Sequence, residues 1–103
     1  MNNPYRLRYL PLFESDLQKA VDYISLQLHN PEAALRLAAE TEQAILRRLV
    51  APASFEPYRS SHERKHPYYR IRVRNYAVFY VIIGDIMEVR RFLYNKRDMA
   101  ALL

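Results

Sequence analysis

Glycine, cysteine and tryptophan are the residues that this chain has least of. Its 103 residues include one glycine, no cysteine and no tryptophan. The absence of cysteine excludes disulfide bonds and thiolate metal sites and is typical of a reducing compartment, so we expect a cytoplasmic protein. A single glycine leaves few positions for glycine-dependent loops. With 50% hydrophobic residues, the composition indicates packed, regular structure and argues against disorder.

Long apolar runs are also missing. The longest, Tyr76–Ile83, is far shorter than the ~20 residues of a transmembrane helix. The first residues, MNNPYRLRYLP, lack the apolar core of a signal peptide. Because domains typically span ~50–250 residues, we expect residues 1–103 to form a single soluble domain.

Charge is distributed unevenly along the chain. Residues 1–57 contain six basic and seven acidic side chains, whereas residues 58–103 contain ten basic and four acidic ones. The basic character therefore belongs to the second half. An asymmetry of this size predicts a nucleic acid or an acidic protein as a partner.

The spacing of apolar residues changes from strand-like to helical and back. The predicted elements are a strand at residues 5–10, a helix at 12–28, a second helix from Pro31 to Pro52, strands at 68–74, Tyr76–Ile83 and Ile86–Tyr94, and one closing helical turn capped by Asp98. Asn30 suits the N-cap of the second helix and Pro31 its first position. Residues 52–67 form a polar connection that contains several prolines. The order β-α-α-β-β-β predicts an α+β fold with a helical hairpin on one face of a mostly antiparallel sheet.

Arginine occupies every second position of one predicted strand. In an extended strand Arg70, Arg72 and Arg74 share one face, while Ile71 and Val73 share the other. Basic side chains from the same half are expected to extend this cationic face, namely Arg90, Arg91, Lys96 and Arg97, with Tyr68, Tyr69 and Tyr94 beside it. Tyrosine next to basic side chains favours base stacking, although tyrosine is equally common as an ordinary sheet residue. A solvated outer face is the alternative interpretation of the same pattern.

Several short motifs resemble one family of proteins. Asn30-Pro31 followed by Ala33-Ala34, the YRIRV and NYAVFYVI strands, and the closing FLYNKRD are similar, in this order, to the RelE/ParE superfamily of bacterial type II toxins. The resemblance covers nearly the whole chain. It implies a compact fold like that of microbial ribonucleases and a separate antitoxin that wraps and neutralises the toxin.

The resemblance implies one of two modes of action. RelE-like members are ribosome-dependent endoribonucleases that cut messenger RNA, whereas ParE-like members inhibit DNA gyrase without that catalytic set. Arg70, Arg72 and Arg97 match basic positions of the RelE-like set. Ala77 stands where that set has a further arginine, and Leu103 falls near its catalytic tyrosine. These two departures favour the gyrase-inhibitor interpretation.

A nuclease would also need groups that transfer protons. Histidine titrates near neutral pH, so His62 and His66 are candidates, with Tyr69 as a third. Two histidines in a polar loop are more often simply solvated. No further metal ligands cluster near them, so we expect neither a metal nor a cofactor.

The resemblance implies three functional hypotheses. The chain is a gyrase-inhibiting toxin, a ribosome-dependent endoribonuclease, or a degenerate member that serves only as a partner of its antitoxin. In each case the arginine face either holds RNA phosphates or receives an acidic segment of the antitoxin.

Overall fold

Two helices pack on one face of a four-stranded sheet. The computed structural model describes residues 4–58, 64–96 and 99–103, with the side chains of residues 99 and 100 excepted. The elements are β1 (Arg6–Tyr9), α1 (Pro11–Asp22), a π-helical turn (Tyr23–Gln27), α2 (Pro31–Leu49), β2 (Tyr69–Val73), β3 (Tyr76–Ile83), β4 (Ile86–Tyr94) and α3 (Met99–Leu102). The predicted order of elements is confirmed. Asp98, the predicted cap of the closing turn, lies outside the described residues.

The strands lie in the order β1-β4-β3-β2. β2, β3 and β4 form an antiparallel meander, and β1 adds parallel to β4 at one edge. This confirms a mostly antiparallel sheet. β3 lies between two neighbours and is covered on both faces, so its middle residues from Ala77 to Val81 are fully buried.

Local sequence signals define where the helices begin and end. Pro11 starts α1, where its missing N–H has no intrahelical partner to lose. Asn30 caps α2 as predicted, because its side-chain oxygen accepts a hydrogen bond from the backbone N–H of Ala33 at 3.1 Å. Between the helices the chain reverses at His29, whose φ of 52° lies in the left-handed region. The sequence did not predict that the first helix ends in a π-helical turn.

The two faces of the sheet carry different clusters. The helix face is the one that packs against α1 and α2, and its buried cluster consists of Phe13, Ala20, Leu37, Ile45, Ile71, Val73, Val78, Tyr80, Met87, Val89 and Phe92. The outer face is the opposite one, with a smaller cluster of Tyr68, Ala77, Phe79, Val81 and Leu93. Tyr58, Ile83, Leu102 and Leu103 pack against this second cluster. The outer face therefore carries the side chains that are left for a binding site.

The predicted stripe of three arginines is wrong at Arg74. β2 ends at Val73, and Arg74 lies in the turn to β3 with a φ of 54°. There its guanidinium group forms a bidentate pair with Glu40 of α2, on the helix side of the sheet. Because the hairpin turn redirects the chain, strand alternation no longer applies at this position. Among the described residues, no helix is long and apolar enough to cross a membrane.

Candidate partner-binding surface

Arg70 and Arg72 lie on the outer face, as the strand alternation predicted. They pair in register with Phe79 and Ala77 of β3, whose side chains belong to the outer cluster. The Arg70 guanidinium lies 4.9 Å from the centre of the Tyr58 ring, a cation–π contact. Arg72 is exposed. Within the described ranges, neither arginine has a carboxylate at salt-bridge distance.

One end of the outer face is apolar. Ala77 is fully buried, and Leu93 lies beside it in register on β4. Leu102 and Leu103 form a cover that packs against the cluster containing both residues. The cover is anchored by Arg91, whose Nη1 donates to the carbonyl oxygen of Leu102 at 3.0 Å. This end of the face is therefore filled by aliphatic side chains.

The other end of the outer face is cationic, and we call it the arginine row. Its members, which cross the sheet from β1 to the segment before β2, are Arg8, Glu88, Arg90, Tyr68 and Arg64. Glu88 accepts hydrogen bonds from Arg8 Nε at 2.8 Å and from Arg90 Nε at 2.7 Å. The guanidinium groups of Arg64 and Arg90 lie 5.0 and 5.9 Å from the centre of the Tyr68 ring.

The arginines of the row differ in whether a carboxylate neutralises them. Burial alone would raise the pKa of Glu88, but the hydrogen bonds from Arg90 and Arg8 outweigh it and hold this pKa below its usual value. Burial opposes the charge of Arg90, and its hydrogen bonds to Glu88 and Tyr68 nevertheless raise its pKa. Among the residues that the structure describes, Arg64 has no such partner, and its buried Nε makes no hydrogen bond. Within the described ranges, the row thus has one carboxylate shared by two arginines and a third arginine without one.

Arg91 was predicted to belong to the cationic face, and the structure gives it a different role. Its guanidinium donates to both carboxylate oxygens of Asp16 on α1, at 2.7 and 3.1 Å, and the hydrogen bonding to Asp16 raises the pKa of Arg91. The same carboxylate accepts a hydrogen bond from the backbone N–H of Phe92 at 3.0 Å. Arg91 therefore joins helix to sheet and is not free to hold a ligand.

The other predicted site residues do not form one constellation. Tyr69 packs on the helix face, where its ring stacks on Tyr80 with centres 5.1 Å apart, so it lies on the opposite side of the sheet from Arg70 and Arg72. Tyr94 is 38% exposed and contacts the edge of Tyr76, and Lys96 is exposed after the last strand. His66 is half-buried in the segment before β2. His62 and Arg97 lie outside the described residues.

Sequence reasoning missed Arg8, Arg64 and Glu88. The alternation of Arg6 and Arg8 in β1 signals a charged strand face, but no local pattern shows that β1 adds parallel to β4, about 80 residues away. Arg64 lies outside any periodic element. Arg8 and Glu88 meet only because of this long-range strand pairing, whereas Arg64 contacts Tyr68.

A cleft of about 620 Å³ opens elsewhere, between the first helix and the strand ends. Asp16, Lys19, Tyr23, Tyr76, Arg91 and Tyr94 contribute to its lining. In the part of the chain that is described, no group of three or more histidine, aspartate or glutamate side chains is placed to hold a metal ion.

Comparison with known proteins identifies relatives of this chain. The family model described as the ParE toxin of the type II toxin-antitoxin system, parDE, matches residues 7–99. A solved structure of the chromosomal ParDE TA system from P. aeruginosa superposes with a TM-score of 0.67 at 17% identity, covering 90% of this chain and 98% of that one. The archaeal RelE-RelB complex from Pyrococcus horikoshii OT3 superposes with a TM-score of 0.53 at 20% identity, covering 91% and 98%. No curated protein sequence matches significantly. At these identities the solved structures establish a common fold.

Proposed function

The chain belongs to the ParE toxin family of type II toxin-antitoxin systems, and from this premise we propose that it arrests growth by binding DNA gyrase. In this proposal residues 1–103 act as one toxin domain in the cytoplasm. A separate antitoxin neutralises the domain by forming a hetero-oligomer with it. The toxin works by occupying a protein surface and needs no cofactor.

The observation that carries this proposal is the filled apolar end of the outer face. Cleavage of RNA through its 2′-hydroxyl needs a proton acceptor, cations around the phosphate and an acid for the leaving oxygen, all on one surface. At Ala77, where RelE-like enzymes have an arginine, this chain has a fully buried methyl group, and Leu102 and Leu103 pack against the cluster to which it belongs. An apolar surface of this kind supports binding of a protein better than chemistry on a phosphate.

The first experiment is a gyrase supercoiling assay with the purified protein. We expect supercoiling to be lost at the concentrations that arrest growth, and cells that express the protein to mount a DNA damage response. Leu103→Asp is the informative variant because it places a charge on the apolar end, with the exposed Leu35→Asp on α2 as the matched control. Normal gyrase activity at toxic doses would remove gyrase as the target.

An mRNA endoribonuclease is the second candidate, and one observation favours it. Arg70 and Arg72 lie side by side on the outer face, and within the described ranges no carboxylate neutralises them. Two arginines so placed suit a phosphate. The test is primer extension on messages from freshly induced cells, beside an Arg72→Ala control. Discrete cuts within codons that disappear in the control would establish the nuclease, and intact messages in arrested cells would exclude it.

The proposal of an antitoxin partner has a separate test. The two solved relatives are described as a ParDE system and a RelE-RelB complex, which supports a partner for this chain as well. We expect co-expression with the product of the adjacent gene to yield a stable complex and to restore growth. A toxic monomer that ignores this neighbour would refute the proposal.

A further inference from the structure

We infer that the arginine row is a docking site for an acidic peptide segment, whose carboxylates pair with Arg64 and its neighbours. The inference rests on the proposal that this protein acts through protein partners, and it adds the place and the chemistry of one contact. No residue of the row is among those that the resemblance to RelE-like enzymes singles out.

The row already shows how it accommodates a carboxylate. Glu88 is 7% exposed and accepts the Nε–H groups of Arg8 and Arg90, one on each of its oxygens. Each of these guanidinium groups keeps further N–H donors, and the Arg8 side chain remains 47% exposed. One buried carboxylate between two arginines leaves positive charge in excess across this part of the sheet.

Arg64 extends the same arrangement, and no carboxylate of the described residues pairs with it. Its guanidinium and that of Arg90 both lie within 6 Å of the Tyr68 ring centre, so the two cations share one aromatic support. Arg64 Nε is buried and makes no hydrogen bond to the described residues. The residue as a whole is half-buried, so a carboxylate supplied by another molecule would bind the other N–H donors of its guanidinium group.

The surroundings favour peptide carboxylates over a nucleic acid. Single-strand binding uses free aromatic faces on which bases stack. Here Tyr68 is 8% exposed, Phe79 is fully buried, and guanidinium groups lie against the rings of Tyr58 and Tyr68. The rings of this cluster are thus buried or lie against guanidinium groups, whereas the guanidinium N–H groups suit planar carboxylates.

The geometry of the sheet sets the length of the segment. From β1 through β4 and β3 to β2 there are three strand spacings of ~4.8 Å, or ~14 Å in all. An extended peptide rises ~3.3 Å per residue, so about five residues cross the row, and alternate side chains face it. We therefore expect acids at every second position.

The experiment measures binding of a labelled peptide of alternating glutamate and serine by fluorescence anisotropy, at low salt. The matched control peptide carries glutamine in place of glutamate. We expect the acidic peptide to bind and the glutamine peptide not to. Arg64→Gln should weaken binding about tenfold, the effect of losing a charge-assisted hydrogen bond. Arg47→Gln, which removes the same charge from the exposed side of α2, should change it less than about twofold.

Several results would overturn the inference. If Arg64→Gln and Arg47→Gln weakened binding equally, the peptide would be responding to the net charge of the protein and not to the arginine row. Tighter binding of a short oligothymidine, with the same dependence on Arg64, would assign the row to nucleic acid. Thermal unfolding of each variant is the control that tests whether the fold is retained. Because the assay contains no gyrase, absence of peptide binding with gyrase inhibition intact refutes only this inference, and the reverse pattern refutes only the gyrase proposal.

Discussion

The two faces of the sheet are closed in different ways. The helix face is covered by α1 and α2, and aromatic pairs such as Phe13 with Phe92 and Tyr76 with Phe92 fill the space between helices and strands. In the described part of the chain, the longest helix on the outer face is the short α3. This face is closed by single side chains, including Tyr58 and Leu103, and by arginines.

This difference shows where the fold is constrained and where it is open to change. A helix that covers a sheet must match it along its whole length, so substitutions on the helix face disturb the core. Where separate side chains from loops and termini cover a face, leucine can replace a basic residue without altering the strands. One fold can therefore present different functional surfaces.

The largest effect is expected from a cavity on the helix face. Phe92→Ala removes a side chain that is 3% exposed and contacts both Phe13 and Tyr76, so we expect a loss of about 3–5 kcal/mol in the free energy of unfolding. Leu103→Ala, on the partly exposed cover of the outer face, should cost no more than about 1–2 kcal/mol. Urea denaturation measures both. Equal losses would mean that the two faces are closed equally firmly.

A smaller effect is expected at the link between the faces. Asp16 holds Arg91, which in turn binds the carbonyl oxygen of Leu102 on the outer side. Because Asp16→Asn leaves the Arg91 side chain, which is only 17% exposed, without its counter-charge, we expect a loss of about 2–3 kcal/mol. Asp85→Asn is the control, since its pair with Arg6 is mostly exposed and should contribute less than about 1 kcal/mol. If both variants unfold at the same urea concentration, the link between the faces is not structural.

Sequence reasoning identified the elements more successfully than the site. Periodicity and the Asn30-Pro31 cap depend on neighbours in the chain, and the order of elements, the helix start and the mostly antiparallel sheet are confirmed. The outer-face placement of Arg70 and Arg72 followed from alternation within β2. These features are local, so the sequence alone carries them.

The partners of charged side chains could not be predicted in the same way. Arg74 pairs with Glu40 and Arg91 with Asp16, residues 34 and 75 positions away, and no local pattern indicates either pair. Alternation also failed at Arg74 because the turn breaks it. A count of basic residues thus overestimated the cationic face, since it could not show which charges the fold neutralises.

The third largest effect on stability is expected from Glu88, the carboxylate of the arginine row. The pKa of Glu88 is lowered from 4.5 in the folded protein, so the folded state binds this proton less readily than the unfolded chain does. Its stabilising contribution is therefore full above about pH 4.5 and disappears as the pH falls through the lowered value. Glu88→Gln should cost about 1–2 kcal/mol at pH 7 and flatten the acid side of the stability curve. Urea midpoints between pH 7 and pH 3 test this. A variant as sensitive to acid as the parent would show that other carboxylates control the acid limit.

The smallest effect is expected at Arg74, where two contributions oppose each other. Arg74→Gly relieves the left-handed backbone, which glycine adopts without strain, but it also removes the pair with Glu40. That pair is exposed on both sides and is screened by water, so the net change in stability should be smaller than for Glu88→Gln and close to zero. Glu40→Gln removes the pair and keeps the strained backbone, so it should be the less stable of the two variants. Thermal unfolding of the two single variants and of the double variant separates the relief of backbone strain from the loss of the ion pair. If Arg74→Gly also abolished growth arrest while the protein remained folded, Arg74 would belong to the surface that binds the target. The assignment of the functional arginines to the outer face alone would then be wrong.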